Sequence, residues 1–158
     1  MNSGFVLLLA LGIGIVAGLR SLTAPAVVAW AARLGWIHLA GSPLNFMSSK
    51  WTVAVFTVLA LVELVADQLP GTPPRTASVG LSARILTGAL CGASLATAGG
   101  ASLWLGAAAG AIGGIAGAFG GYQARVGLAH ALRVADFVIA IPEDIVAIGL
   151  GLFLASRF

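Results

Sequence analysis

Long apolar runs cut by short polar breaks set the pattern of this chain. Runs near residues 4–19, 51–68, 82–98 and 101–119, with a fifth near 139–156, have the length and polarity of membrane helices. The first is short, roughly 24 Å as a helix against a hydrocarbon core of ~30 Å. Arg20-Ser-Leu-Thr-Ala-Pro25 interrupts it. Pro25 disfavours helix at Ala24 and suits the first turn of a new helix, with Ser21 or Thr23 as its cap. The piece that follows, 26–36, is too short to span and reads as a re-entrant helix. Residues 37–50 read as a loop. Residues 69–80, with three of the six prolines, form a second loop that divides the chain into halves 4–69 and 81–158.

The two halves share a local pattern. Residues 14–33 and 114–133 align without a gap and match at Gly14/Gly114, Ile15/Ile115, Ala24/Ala124, Ala29/Ala129, Ala31/Ala131 and Arg33/Arg133. In each, a glycine-rich apolar helix runs into a polar break, at 20–25 and at 120–125, and resumes as a short helix. Broken backbone in a membrane must be sheltered from lipid, and matched breaks in two halves point to a central site. If the short helices do not cross, three spans separate the copies and the repeat is inverted. If 26–36 crosses, the copies are parallel. The expected fold is therefore an all-α, polytopic transmembrane bundle with two related halves, arranged as an inverted repeat. Glycines at 106, 110 and 114, and at 113, 117 and 121, recur every four residues and let helix backbones approach closely.

Composition agrees with the pattern. Of the 158 residues 59% are hydrophobic and 8% charged, with a mean hydropathy of +1.06. A soluble domain of this size cannot hide that much apolar surface. The net charge of +3 comes from scattered Lys and Arg with no basic cluster, which argues against nucleic acid. A lone cysteine, Cys91, excludes disulfides within the chain. The N-terminal run lacks a positive leader and reads as a retained helix.

Ionisable groups within membrane helices are costly and mark candidate sites. Arg20 lies between two half-helices, where free amides and a guanidinium could hold an anion, or where it could cap the first half-helix. Ser21 and Thr23 flank it. Glu63 and Asp67, four residues apart, share one helical face, and Glu63 is about 6 Å deeper. They could relay protons, or Glu63 could pair with Arg84. Pro142-Glu143-Asp144 has the form of a helix start, with Asp136 nearby. Arg125, His130 and Arg133 lie in and after the second break. No residue set has metal-ligand or nucleotide-binding spacing, so neither a metal nor a cofactor is expected.

The segments Gly18-Leu-Arg-Ser-Leu-Thr-Ala-Pro25, Glu63-Leu-Val-Ala-Asp67 and Pro142-Glu-Asp144 together resemble a family of small bacterial integral-membrane proteins defined only as a domain of unknown function. The resemblance covers essentially the whole chain. It implies a multi-pass protein of the bacterial inner membrane and brings no substrate or catalytic residue. The residues themselves point to a small transporter or channel, non-enzymatic and homo-oligomeric in the bilayer, for an anionic solute or lipid headgroup. A non-catalytic scaffold or accessory subunit is the alternative. A lipid-headgroup enzyme is a weaker one, with Glu63, Asp67, Asp136 and His130 as its acid–base candidates.

Overall fold

The computed structural model describes residues 1–66, 77–132 and 136–158, with the side chains of 129, 130, 132 and 136–140 left aside. Its elements are α1 (Ser3–Leu19), α2 (Thr23–Arg33), a 3-10 turn (Asn45–Ser48), α3 (Lys50–Ala66), α4 (Ser78–Ala98), α5 (Leu103–Leu132) and α6 (Asp136–Ala155). Among the described residues there is no strand. Two stretches, Ser78–Ala98 and Leu103–Leu128, are long and apolar enough to cross a membrane; α1 is a shorter apolar helix.

Glycine decides how α1, α4 and α5 meet. Gly110 of α5 lies between Gly14 of α1 and Gly88 and Gly92 of α4. A Cβ built on Gly14 or on Gly92 would sit 2.8 Å from the Gly110 Cα, closer than side chains ever come. Gly18 faces Gly114 and Gly117, Gly113 faces Leu11 and Ile15, and Gly114 faces the Arg84 carbonyl. Three backbones thus touch along one seam, as small residues permit where apolar solvent offers no drive to associate. Residue numbers rise together along α1 and α5 and oppose each other along α4 and α5. So α1 and α5 are parallel and α4 is antiparallel to both.

The remaining helices follow from a few contacts. Gly12 meets Leu154, and Arg20 meets Asp144, so α6 is antiparallel to α1. Val16 and Val27 both lie against Gly151, so α2 has turned back and descends beside α1's upper half. The Trp30 indole donates to Thr57 Oγ1 at 3.0 Å, and Ser21 binds Glu63, so α3 rises again. Directions therefore alternate through all six helices. The lower end, where Gly99 approaches Val6 and Phe158, holds the α4–α5 turn, with Gly100 at φ 73°. Buried Ile37, Leu39, Leu44 and Met47 pack the segment between α2 and α3 into the core.

Three expectations are corrected. The helix does not break at 120–125: α5 runs unbroken through Gly120-Gly121, and of the short helix expected over 124–134 the described part, to Leu132, continues α5. Glycine lowers helix propensity by only about 1 kcal/mol and cannot end a long helix alone. The aligned stretches 14–33 and 114–133 are not inverted copies, because α1 and α5 run the same way. Of the matched positions, Gly14 and Gly114 lie on the seam, where both faces need small residues, whereas Ala24, Ala29, Ala31 and Arg33 belong to α2, away from it. Finally, Pro142 does not start α6; it lies inside the helix, two turns from Asp136.

Candidate functional site

The reversal between α1 and α2 is the most polar place in the described core. Arg20 leaves the helix with φ −138° and ψ 108°, while its amide still bonds the Val16 carbonyl. Three residues later Thr23 opens α2, and Pro25 sits in its first turn, where a missing amide hydrogen costs nothing. The N-cap position, Leu22, has no side chain able to cap.

Another helix supplies the cap. The Glu63 carboxylate of α3 accepts from the Ser21 amide at 2.8 Å, from the Ser21 hydroxyl at 2.6 Å and from the Leu22 amide at 2.9 Å. Glu63 is 9% exposed. Its charge is met by hydrogen-bond donors and by the positive end of the α2 dipole. The opposite end of the reversal is treated in the opposite sense. Arg84 of α4 donates from Nε to the Gly18 carbonyl at 3.0 Å and from Nη1 to the Gly80 carbonyl at 2.9 Å. A cation thus closes the negative end of α1, and an anion closes the positive end of α2.

Between them Arg20 is fully buried and pairs with Asp144 of α6. The neighbouring residue, Glu143, lies 3.7 Å from Arg125 of α5, and each of these side chains is 11% exposed. Adjacent residues on a helix point about 100° apart, so α6 serves α1 and α5 with consecutive carboxylates. Among the described residues, three arginines and three carboxylates from five helices are gathered here, with equal formal charge of each sign. Breaking one such buried pair leaves a charge without compensation.

The structure brings together Arg20, Ser21, Glu63, Arg84, Arg125, Glu143 and Asp144. Thr23 is buried beside them, and its hydroxyl has no hydrogen-bond partner among the described residues. The expected caps, Ser21 or Thr23, give way to Glu63, with the Ser21 hydroxyl donating to that carboxylate instead of accepting from an amide. The expected Glu63–Arg84 pair is replaced as well, since each side chain serves a different helix end. Asp67 and Arg133 lie outside the described residues. His130 belongs to α5 and Asp136 opens α6, but their side chains also lie outside them. Sequence reasoning missed Gly18 and Leu22, whose backbone groups carry contacts that no side-chain pattern announces. Among the described residues no group of His, Cys, Asp and Glu could hold a metal ion.

No curated protein and no solved structure matches the chain. The arrangement from the upper part of α1 to the end of α6 falls within residues 7–156, which match a family described as a domain of unknown function, DUF4126, and the chain belongs to that family.

Proposed function

We propose that the chain is a multi-pass protein of the inner (cytoplasmic) membrane that acts as a small transporter or channel for an anionic solute or lipid headgroup, with the α1–α2 reversal as its site. The membrane reading is supported by two span-length apolar helices and by bulky apolar side chains exposed on several helices, among them Leu8, Val58, Leu86, Ile112 and Ile145. A water-soluble monomer rarely leaves so much apolar surface uncovered. The same outer surfaces are available for homo-oligomer formation.

One observation carries the site: the N-terminus of α2 binds a carboxylate, and that carboxylate is the protein's own. Half-helix N-termini inside membrane proteins commonly receive anionic groups. Glu63 then acts as a resident occupant that a passing anion displaces, while Arg20 and Arg125 exchange partners. The test is flux of small carboxylates and phosphate into proteoliposomes containing the purified protein. Glu63→Gln is expected to alter flux at least tenfold while the protein stays folded. Equal flux in wild type, Glu63→Gln and protein-free vesicles overturns the reading.

A second reading, a non-catalytic membrane scaffold, is favoured by the pairing of charges inside the core, three arginines and three carboxylates among the described residues. Under it the reversal is a packing device. Replacing Arg20 and Asp144 together by apolar residues then leaves every cellular role intact, whereas a transporter loses activity.

A further inference from the structure

The end of the molecule opposite the reversal has a different chemistry. Val27 and Gly151 are level, so Arg33 and Arg157, each six residues further on, both lie about 9 Å below them. Trp30 is level with Thr57, which puts Lys50 about 10 Å below that point and about 6 Å beyond Arg33. Three cations from α2, α3 and the end of α6 therefore occupy one layer roughly 6 Å thick. All three are exposed, and none has an acidic partner among the described residues. Lys50 lies 5.6 Å from the centre of the Trp51 ring, and Arg157 lies 4.0 Å from that of Phe153.

The tryptophans share this layer. All four in the chain (Trp30, Trp36, Trp51 and Trp104) belong to the lower end of a helix or to the segment next to it. Trp51 and Trp104 are 72% and 80% exposed, and Trp30 and Trp36 are also open. The described carboxylates, Glu63, Glu143 and Asp144, all lie at the other end. Indole rings settle at the level of lipid headgroups, and cations beside them attract anionic ones.

We infer that this end is a binding surface for anionic phospholipid headgroups, with Arg33, Lys50 and Arg157 as the phosphate-facing cations and the four tryptophans as the ring that sets its depth. The inference rests on the membrane reading and is independent of transport. Among the described side chains its charge is one-signed, because Glu63, Glu143 and Asp144 belong to the reversal. A neutral headgroup would gain only the indole contacts, whereas an anionic one gains both.

The test reconstitutes the full-length protein into vesicles of equimolar phosphatidylglycerol and phosphatidylcholine. After flotation, gentle extraction recovers the lipids that remain with the protein. Wild type is expected to retain phosphatidylglycerol over phosphatidylcholine, and each substitution in the series Arg33→Gln, Lys50→Gln and Arg157→Gln to lower that preference by up to about fivefold. Because all three side chains are exposed, the variants keep the fold. As a second readout, phosphatidylglycerol raises the melting temperature of the detergent-solubilised wild type more than that of the triple variant. Equal retention of both lipids by wild type, or the same preference in the triple variant, overturns the headgroup assignment and leaves the membrane reading standing. A stabilising shift reproduced by inorganic phosphate alone overturns it in favour of a free-anion site. Protein that fails to float with vesicles overturns the membrane reading and the inference together.

Discussion

The glycine seam and the charged reversal hold the same helices together by opposite means. Along the seam, α1, α4 and α5 touch through backbone, with Gly110 between Gly14 and Gly88. Nothing polar is exchanged between side chains there, and the contact depends on the absence of side chains. A few residues above, α1 ends, and the contacts become a set of charged caps and pairs drawn from α3, α4, α5 and α6. The seam fixes distance; the reversal fixes direction. A helix can be turned inside a low-dielectric interior only if both freed ends find partners. Arg84 and Glu63 supply those partners with the signs the helix dipoles require.

Substitutions can separate the two modes. The largest effect is expected at Gly110, where a methyl group would enter the α4 backbone at Gly88 and Gly92. Gly110→Ala should cost more than about 3 kcal/mol, since neither neighbour is a flexible side chain. Size-exclusion chromatography in detergent would then show little monodisperse protein. At the reversal, Asp144→Ala should cost about 3–5 kcal/mol by breaking a buried ion pair with Arg20. The double variant Arg20→Met, Asp144→Leu should recover most of that loss in thermal melts. A double variant as unstable as the single one would show that Arg20 serves more than its pair. Glu63→Ala removes the acceptor for three donors and should cost about 2–4 kcal/mol, with Glu63→Gln retaining roughly half. Hydrogen exchange at Ser21 and Leu22 would report that loss locally. The smallest effect is expected at Gly127, an exposed helical position with nothing within 4 Å of a new Cβ. There Gly127→Ala should stabilise by up to about 1 kcal/mol, opposite in sign to Gly110→Ala.

Much of the helical layout was legible because apolar runs and polar gaps mark where helices begin and end. The run near 4–19 became Ser3–Leu19, 51–68 became Lys50–Ala66, and 82–98 became Ser78–Ala98. The Arg20–Pro25 interruption was also legible, because an arginine, two hydroxyl residues and a proline jointly oppose helix. Direction was not. Nothing in residues 26–36 says whether α2 continues α1 or turns back; that is settled by which face meets Gly151 and where Glu63 arrives. The second break was misjudged because Gly-Gly weakens a helix without stopping it, and Tyr122 and Gln123 lie within its continuation. Pro142 misled for a related reason. Inside a helix a proline is tolerated when neighbouring groups satisfy the freed carbonyl, so a proline alone does not mark a helix start. The site's residue types were visible, but their pairing was not, since Glu63 and Arg84 read as partners until each found a helix end.

The position of Asp144 has a consequence for biosynthesis. Arg20 leaves the ribosome well before Asp144, which belongs to α6. Glu63 and Arg84 arrive in between, so the reversal is completed in the order α3, α4, α6. Until α6 is synthesised, the Arg20–Asp144 pair cannot form. A chain cut short before α6 therefore caps both helix ends but forms neither the Arg20–Asp144 nor the Arg125–Glu143 pair, which gives quality control a chemical difference to detect.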